Sequence, residues 1–328
     1  MRILITGSSG QIGTNLALRC LGAGHQVLGV DSRRNSWTQA WPTLLQDLSA
    51  ISAAGALAHA RREQGRPDLV VHLAAHAKVH QLVQRPHLAL ENITMVQQVL
   101  EYCREAAVPI VFASSREIYG NVTRASTCET DANFSQAASP YAASKIAGEA
   151  LVQSYGRCYG LPWLTFRLSN VYGRYDNDLE RMERVIPLFT RKLLAGEPLT
   201  VYGADKVLDF THVDDCVSGL MAGIERLLQG RVRDETFNLA SGQGHTLVEM
   251  ARWLGAALDC HPEIRLAPTQ AGEMTHYVAN LDKARALLGY APVTALREGL
   301  RLGAKSGACS FTTSPTPPGP PPEAAPSP

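Results

Sequence analysis

Residues 2–31 constrain this chain more than any other stretch. Arg2-Ile3-Leu4-Ile5-Thr6 is a short run of β-formers, followed at once by Gly7-Ser8-Ser9-Gly10-Gln11-Ile12-Gly13 and a helix-like segment from Thr14 to Ala23. A second apolar run, Gln26 to Val30, ends in Asp31. The pattern predicts strand, tight glycine turn, helix and parallel second strand, the layout of a dinucleotide-binding unit. Gly7 permits the sharp turn, Gly10 lets the backbone approach a pyrophosphate, and Gly13 lets the helix pack closely on the strand. The free N–H groups of the helix start, at Gln11 and Ile12, then face the phosphates. Asp31 stands where a carboxylate accepts from two ribose hydroxyls and repels a 2′-phosphate, so NAD is expected over NADP. Arg33 and Arg34 follow closely and weaken that preference.

A chain of 328 residues is long enough for one large domain or two modest ones. With 31 basic and 30 acidic residues its formal net charge is +1, so no global field draws it to nucleic acid or an anionic membrane. Small-molecule partners are expected instead. No apolar run is long enough to span a bilayer, and Met1-Arg2 leads straight into a strand with no room for a signal peptide. Seven scattered cysteines without a Cys-x-x-Cys pair indicate neither a disulfide framework nor zinc, and no other metal is expected. A cytoplasmic location follows as the expectation.

Further along, Leu44 to Leu48 resembles a third strand. Asp47 there could accept from an adenine amino group while Leu48 packs on the ring, or Asp47 could cap a helix from Leu48 to His59. Pro67 to Ala75 is a buried parallel strand ending in His72-Leu73-Ala74-Ala75, small residues that let a cofactor lie against the strand end. His72 itself reads as a packed strand-end histidine. His87 to Ala106 has apolar residues at helical spacing, and Asn92 inside it is counted with Leu73, Ala74 and Ala75 on the cofactor side. The next strand, Val108 to Ala113, runs into Ser114-Ser115-Arg116-Glu117-Ile118-Tyr119-Gly120. In a doubly wound sheet, ligands sit at such carboxyl ends. After a polar loop, Tyr141 and Lys145 stand four apart and share one helix face. An ammonium near a phenol stabilises phenolate, which predicts a lowered Tyr141 pKa and a usable general base.

These motifs, with Arg167-Leu168-Ser169-Asn170-Val171-Tyr172-Gly173 and Asp209-Phe210-Thr211-His212-Val213-Asp214-Asp215, resemble the extended short-chain dehydrogenase/reductase family, in particular its nucleotide-sugar epimerases and dehydratases. The resemblance covers Met1 to about Gly289. It implies that Ser115 hydrogen-bonds the reacting sugar hydroxyl and that Tyr141 takes its proton. It also implies that Lys145 binds the nicotinamide ribose and that Asn170 contacts the substrate near its phosphates. A neutral donor, a tunable base and a fixed cation suit alcohol oxidation on chemical grounds as well. A homodimer formed through the helices His87–Ala106 and Tyr141–Tyr159 is a further implication.

The expected fold is α/β: a Rossmann-type doubly wound parallel sheet with a smaller, discontinuous α/β substrate lobe. Residues 1–168 form the NAD-binding domain and 207–240 return to it. Residues 169–206 and 241–305 make the lobe, and 306–328, rich in Pro, Ser and Ala, form a disordered tail. In the second half Glu180 to Leu194 reads as a helix, Asp214 as the cap of a helix to Leu228, and Thr246 as the cap of one to Leu258.

Two departures from the family pattern bear on the substrate. Leu208 stands where an arginine usually precedes Asp-Phe, and Gln270 stands where another precedes Gly272-Glu273. Both arginines would neutralise a diphosphate, so other cations must substitute, with Arg174, Arg181 and Arg184 the candidates, unless the substrate lacks a diphosphate. Glu117 matches a position where dehydratases and decarboxylases carry a glutamate able to abstract a C5 proton; it could equally pair with Arg116. The leading expectation is an NAD-dependent epimerase acting at C4 of a UDP-sugar. A 4,6-dehydratase or decarboxylase using Glu117, a dehydrogenase of a sugar without a nucleotide, and a non-catalytic NAD-binding regulator are the alternatives.

Overall fold

The computed structural model describes residues 1–121, 124–176, 184–270 and 272–305. Arg181, the first residues of the helix expected from Glu180, and the Pro-rich tail lie outside them.

The first part of the chain lays down β1 (Arg2–Thr6), α1 (Gln11–Gly22), β2 (Gln26–Asp31), β3 (Thr43–Leu45), α2 (Ala53–Gln64), β4 (Leu69–His72), α3 (Val79–Gln84), α4 (His87–Ala106), β5 (Ile110–Ser115), α5 (Pro140–Tyr159) and β6 (Trp163–Leu168). Then come β7 (Asn170–Tyr172), α6 (Val185–Leu194), β8 (Leu199–Tyr202), β9 (Val207–His212), α7 (Val213–Leu228) and β10 (Glu235–Leu239). The chain continues through β11 (Gly244–Thr246), α8 (Leu247–Ala257), β12 (Ile264–Ala267), β13 (His276–Tyr277), α9 (Asp282–Leu288) and α10 (Leu296–Lys305).

Seven strands form one parallel sheet in the order β10-β6-β5-β4-β1-β2-β3. The strand order reverses between β1 and β4, which opens a crevice at their carboxyl ends. Alternation along each strand feeds two cores, one on each face. Ile3, Ile5, Leu69 and Val71 pack with Leu16, Leu220 and Ile224 from α1 and α7. Leu4, Val70, Ile110 and Phe112 pack with Leu57, Val96, Val99 and Val152 from α2, α4 and α5. Strands buried on both faces read as continuous apolar runs, which is why they were legible.

The smaller lobe has its own core of Phe189, Val201, Phe210, Met250, Leu254 and Leu300. Its sheet joins β7, β9, β11 and β13, with β8 and β12 paired separately. The boundaries differ from expectation at two places. β9 pairs with β7, β11 and β13, so the chain returns to the large sheet at α7 and not at residue 207. Leu281, Ala284, Leu288 and Tyr290 pack into the core of the large sheet beside Phe237 and not into the lobe.

Candidate active site

The glycine turn closes in stages. Gly7 has φ +70°, and a Cβ there would lie 2.8 Å from the Ala74 nitrogen. A Cβ on Gly13 would lie 2.2 Å from the Gly7 oxygen, so only glycine allows α1 to start this close to β1. Gly10 has φ −88° and its added Cβ would meet only the Gly7 oxygen, at 3.3 Å, so this glycine leaves a face open rather than relieving strain. No side chain caps α1, its first turn carries no acid, and the buried Gln11 Nε2 has no protein partner. An uncapped helix start beside an open glycine face and an unpartnered amide donor fits a dinucleotide pyrophosphate. Asp31 accepts the Ser9 N–H at 3.0 Å and the Arg33 N–H at 3.2 Å, so the carboxylate expected at a ribose also ties the turn to β2.

Asn35 was not anticipated. It donates to the Ser8 carbonyl at 3.2 Å and to Thr14 Oγ1 at 2.8 Å, and its own carbonyl oxygen accepts the Trp37 N–H at 2.8 Å. Its signal was present: an asparagine that bonds to backbone two residues on is a recognisable loop former.

Three expected cofactor residues have other partners. Asp47 is exposed and accepts the Ser49 N–H at 2.9 Å and hydroxyl at 2.7 Å; α2 begins at Ala53, so Asp47 does not cap it. Leu48 is buried in the core under α2 and α4. Asn92 accepts the His76 N–H at 2.7 Å and donates to the His76 carbonyl and to Ser144 Oγ, and Ser144 donates to the Tyr141 carbonyl at 2.7 Å. Asn92 therefore fastens the loop after β4 to the helix bearing Tyr141.

Ser115 ends β5 and accepts the Glu117 N–H at 3.2 Å, opening a single turn from Arg116 to Tyr119. Across from it α5 begins, capped by Ser139, which accepts the Ala142 N–H at 3.1 Å, with Pro140 in the first helical position. This start puts Tyr141 in the first turn and Lys145 one turn on, both buried. Burial pushes the Tyr141 phenol up to about 12, against a hydrogen bond with Ser115 and the charges of Arg184 and Arg116. The expected lowering by Lys145 is absent: its ammonium lies 5.8 Å from the tyrosine ring centroid and donates to the Ala113 carbonyl at 2.8 Å. Burial also brings Lys145 down to about 8, because a low-dielectric site disfavours the charged form of either group. His72 is buried, shares a 2.7 Å hydrogen bond with Thr6 Oγ1, and is held down to about 3 by burial and then by Lys145, as befits a packed strand-end histidine.

Arg116 and Glu117 do pair, at 3.0 Å, and both are nearly buried. The second Glu117 oxygen has no protein partner. Arg116 also donates to Asn170 Oδ1 at 3.0 Å, while Asn170 Nδ2 donates to the Asp209 carbonyl at 3.0 Å, so Asn170 is committed to this cluster. Arg184 stands just before α6, whose start no side chain caps, and donates to Gln11 Oε1, to the Val171 carbonyl at 3.3 Å and to Asp176 at 2.9 Å. Asp176, missed because an acid in a loop carries no signal, is buried, and burial raises it to about 7 despite Arg184. Arg174 points elsewhere: it is 60% exposed and pairs with Asp214. Leu208 lies in the lobe core, and nearby the buried Lys206 pairs with Glu273, which also accepts the Gln270 N–H at 3.1 Å. Among the described residues no His, Cys, Asp or Glu cluster could hold a metal, and no helix is long and apolar enough to cross a membrane.

The arrangement joins a dinucleotide cradle to a buried serine, tyrosine and lysine, which suits oxidation of a hydroxyl. Known proteins agree with it. The model of the NAD dependent epimerase/dehydratase family matches residues 3–240. UDP-glucuronate 4-epimerase 1 of Arabidopsis thaliana is 30% identical over 326 residues, 91% of this chain and 75% of that protein. A dTDP-glucose 4,6-dehydratase of Xanthomonas campestris is 28% identical over 91% of each chain. Among solved structures, UDP-glucose 4-epimerase of Thermus thermophilus in complex with NAD superposes with a TM-score of 0.84 at 32% identity, covering 94% of this chain and 100% of that one. The family match takes in well over half of the chain, and the protein accordingly belongs to the NAD dependent epimerase/dehydratase family, enzymes that work with NAD.

Proposed function

We propose that this enzyme epimerises a UDP-sugar at C4 through a transient 4-keto sugar. The observation that carries the reading is the convergence of Ser115, Tyr141 and Lys145 at the carboxyl end of β5, beside the crevice of the glycine turn. Ser115 orients the C4 hydroxyl and Tyr141 takes its proton. Gly7, Gly10, Gln11, Ile12, Gly13 and Asp31 hold the dinucleotide. Lys145, with one N–H on Ala113, keeps two donors for a ribose. A phenol near 12 is a poor base at neutral pH, and Arg184 and Arg116 alone leave it there. NAD, when bound, brings further positive charge on its nicotinamide and the two-electron acceptor that C4 oxidation needs.

For the diphosphate, Arg184 is the cation best sited to stand in for the arginines missing at 208 and 270, since it spans α6 and Gln11 at the head of α1. The similarity to proteins named UDP-glucuronate and UDP-glucose 4-epimerases supports a UDP-sugar. A dehydratase reading is favoured by one observation, the unpartnered Glu117 oxygen. Incubating the purified protein and NAD with UDP-glucose, UDP-N-acetylglucosamine and UDP-glucuronate tests both, with products read by mass and proton NMR. A C4 isomer of unchanged mass is expected; loss of water or carbon dioxide would transfer the reaction to Glu117, and no turnover would refute the substrate class.

A homodimer through α4 and α5 belongs to the same proposal. The two helices pack side by side, and Leu90 and Tyr159 on them are 66% and 58% exposed. A monomeric mass in sedimentation would refute it.

A further inference from the structure

We infer that Arg116 sets the reaction outcome: it restrains Glu117 from acting as a base, so that a 4-keto sugar in this site keeps the hydrogens on the carbons beside its ketone. The inference rests on the C4-oxidation reading above. Glu117 is a carboxylate buried next to the reacting groups, since its own N–H is bonded to Ser115 and its charge acts on Tyr141. One of its oxygens pairs with Arg116 at 3.0 Å, and the other is buried and without a protein partner. Arg116 is anchored from the smaller lobe by Asn170 at 3.0 Å and by Met274 Sδ at 3.7 Å, and its guanidinium stands 5.9 Å from the centre of the Tyr277 ring.

A ketone acidifies the hydrogens on the carbons next to it. A free buried carboxylate would take one such hydrogen as a proton, and the C–H electron pair would move through the new C=C bond onto the carbonyl oxygen as an enolate. Return of a solvent-derived proton to that carbon would restore the ketone, with one hydrogen exchanged and no net oxidation. The guanidinium occupies one Glu117 oxygen at 3.0 Å and, itself tied to Asn170, holds the carboxylate in place. The guanidinium, moreover, never gives up a proton, so it cannot serve as the acid that expulsion of a neighbouring hydroxyl requires. Removing Arg116 leaves both oxygens of the buried carboxylate free to meet a hydrogen of the sugar.

The test supplies the ketone directly. UDP-4-keto-6-deoxyglucose is incubated in D2O with the NAD-loaded full chain and with its Arg116→Gln, Arg116→Lys, Glu117→Gln and Arg116→Gln/Glu117→Gln variants. Deuterium beside the ketone is read by proton NMR and mass. Wild type should stay at the rate of the buffer alone. Arg116→Gln should exchange on the order of 10²-fold faster, the scale of one positioned general base. The double variant should fall back to the buffer rate. Arg116→Lys, which keeps a cation beside Glu117, should stay near the buffer rate. Buffer-rate exchange in Arg116→Gln overturns the inference, and so does wild-type exchange that Glu117→Gln abolishes, a comparison that needs no Arg116 variant to fold. The three UDP-sugars in parallel tubes report the C4 reading separately: wild type that forms a C4 isomer of none of them refutes that reading whatever the deuterium shows.

Discussion

Burial acts on Tyr141 and Lys145 with opposite results, one phenol rising to about 12 and one ammonium falling to about 8, because each neutral form is the one a dry site favours. Their spacing was readable on a helix face, but the direction of the tyrosine shift was not. Spacing says which side chains share a face; it does not say that Lys145 will point under the ring to the Ala113 carbonyl. Tyr141→Phe keeps the ring and removes the acid–base group. It should lower turnover on the order of 10²- to 10⁴-fold while leaving NAD affinity, measured by titration calorimetry, within a few-fold. Undiminished turnover in that variant would end the assignment of Tyr141 as base. The arginines make the same point: Arg174 and Arg184 stand close in the sequence, yet one faces solvent and the other reaches Gln11.

Among the elements, helices whose ends carry local hydrogen-bonding signals were the easiest to place. Thr246 accepts the Glu249 N–H at 3.1 Å while Glu249 reaches back to the Thr246 N–H at 2.8 Å, the reciprocal box that a threonine followed three residues later by glutamate predicts. Thr246→Ala should cost about 1 kcal/mol, read as a lower urea midpoint at unchanged slope. The start of α7 was misplaced by two residues: His212 is the cap, its Nδ1 accepting the Asp214 N–H at 3.3 Å, and Asp214 sits in the first turn. A carboxylate there still interacts favourably with the helix dipole, so the acid marked the helix start without capping it. At α2 the local signal misled, because Asp47 closes its own turn with Ser49 and the chain needs further residues before Ala53 can begin a helix on the core.

Over the whole molecule, two buried groups tilt stability against pH in opposite senses. His72 falls from 6.5 in the ordinary state to about 3 in the fold, so the unfolded chain binds the extra proton and the contribution, complete above 6.5, is lost as pH falls through about 3. Asp176 rises from 3.8 to about 7, so its contribution is complete below 3.8 and is lost as pH rises through about 7. In thermal unfolding between about pH 4 and 6.5, His72→Gln should therefore lose stability on raising pH more steeply than wild type, and Asp176→Asn more steeply on lowering it. Parallel curves for all three proteins would refute the assignment of these two groups. The glycine turn, the parallel strands and the serine, tyrosine and lysine were determined by the sequence alone. Each depends on a pattern within one strand, turn or helix, where period and steric fit act between near neighbours. The tertiary structure decided which cations face the site, how Glu117 is paired and where the lobe ends. Those contacts join residues remote in the chain, Arg184 with Gln11 and Arg116 with Asn170, and their geometry exists only once both sheets have packed.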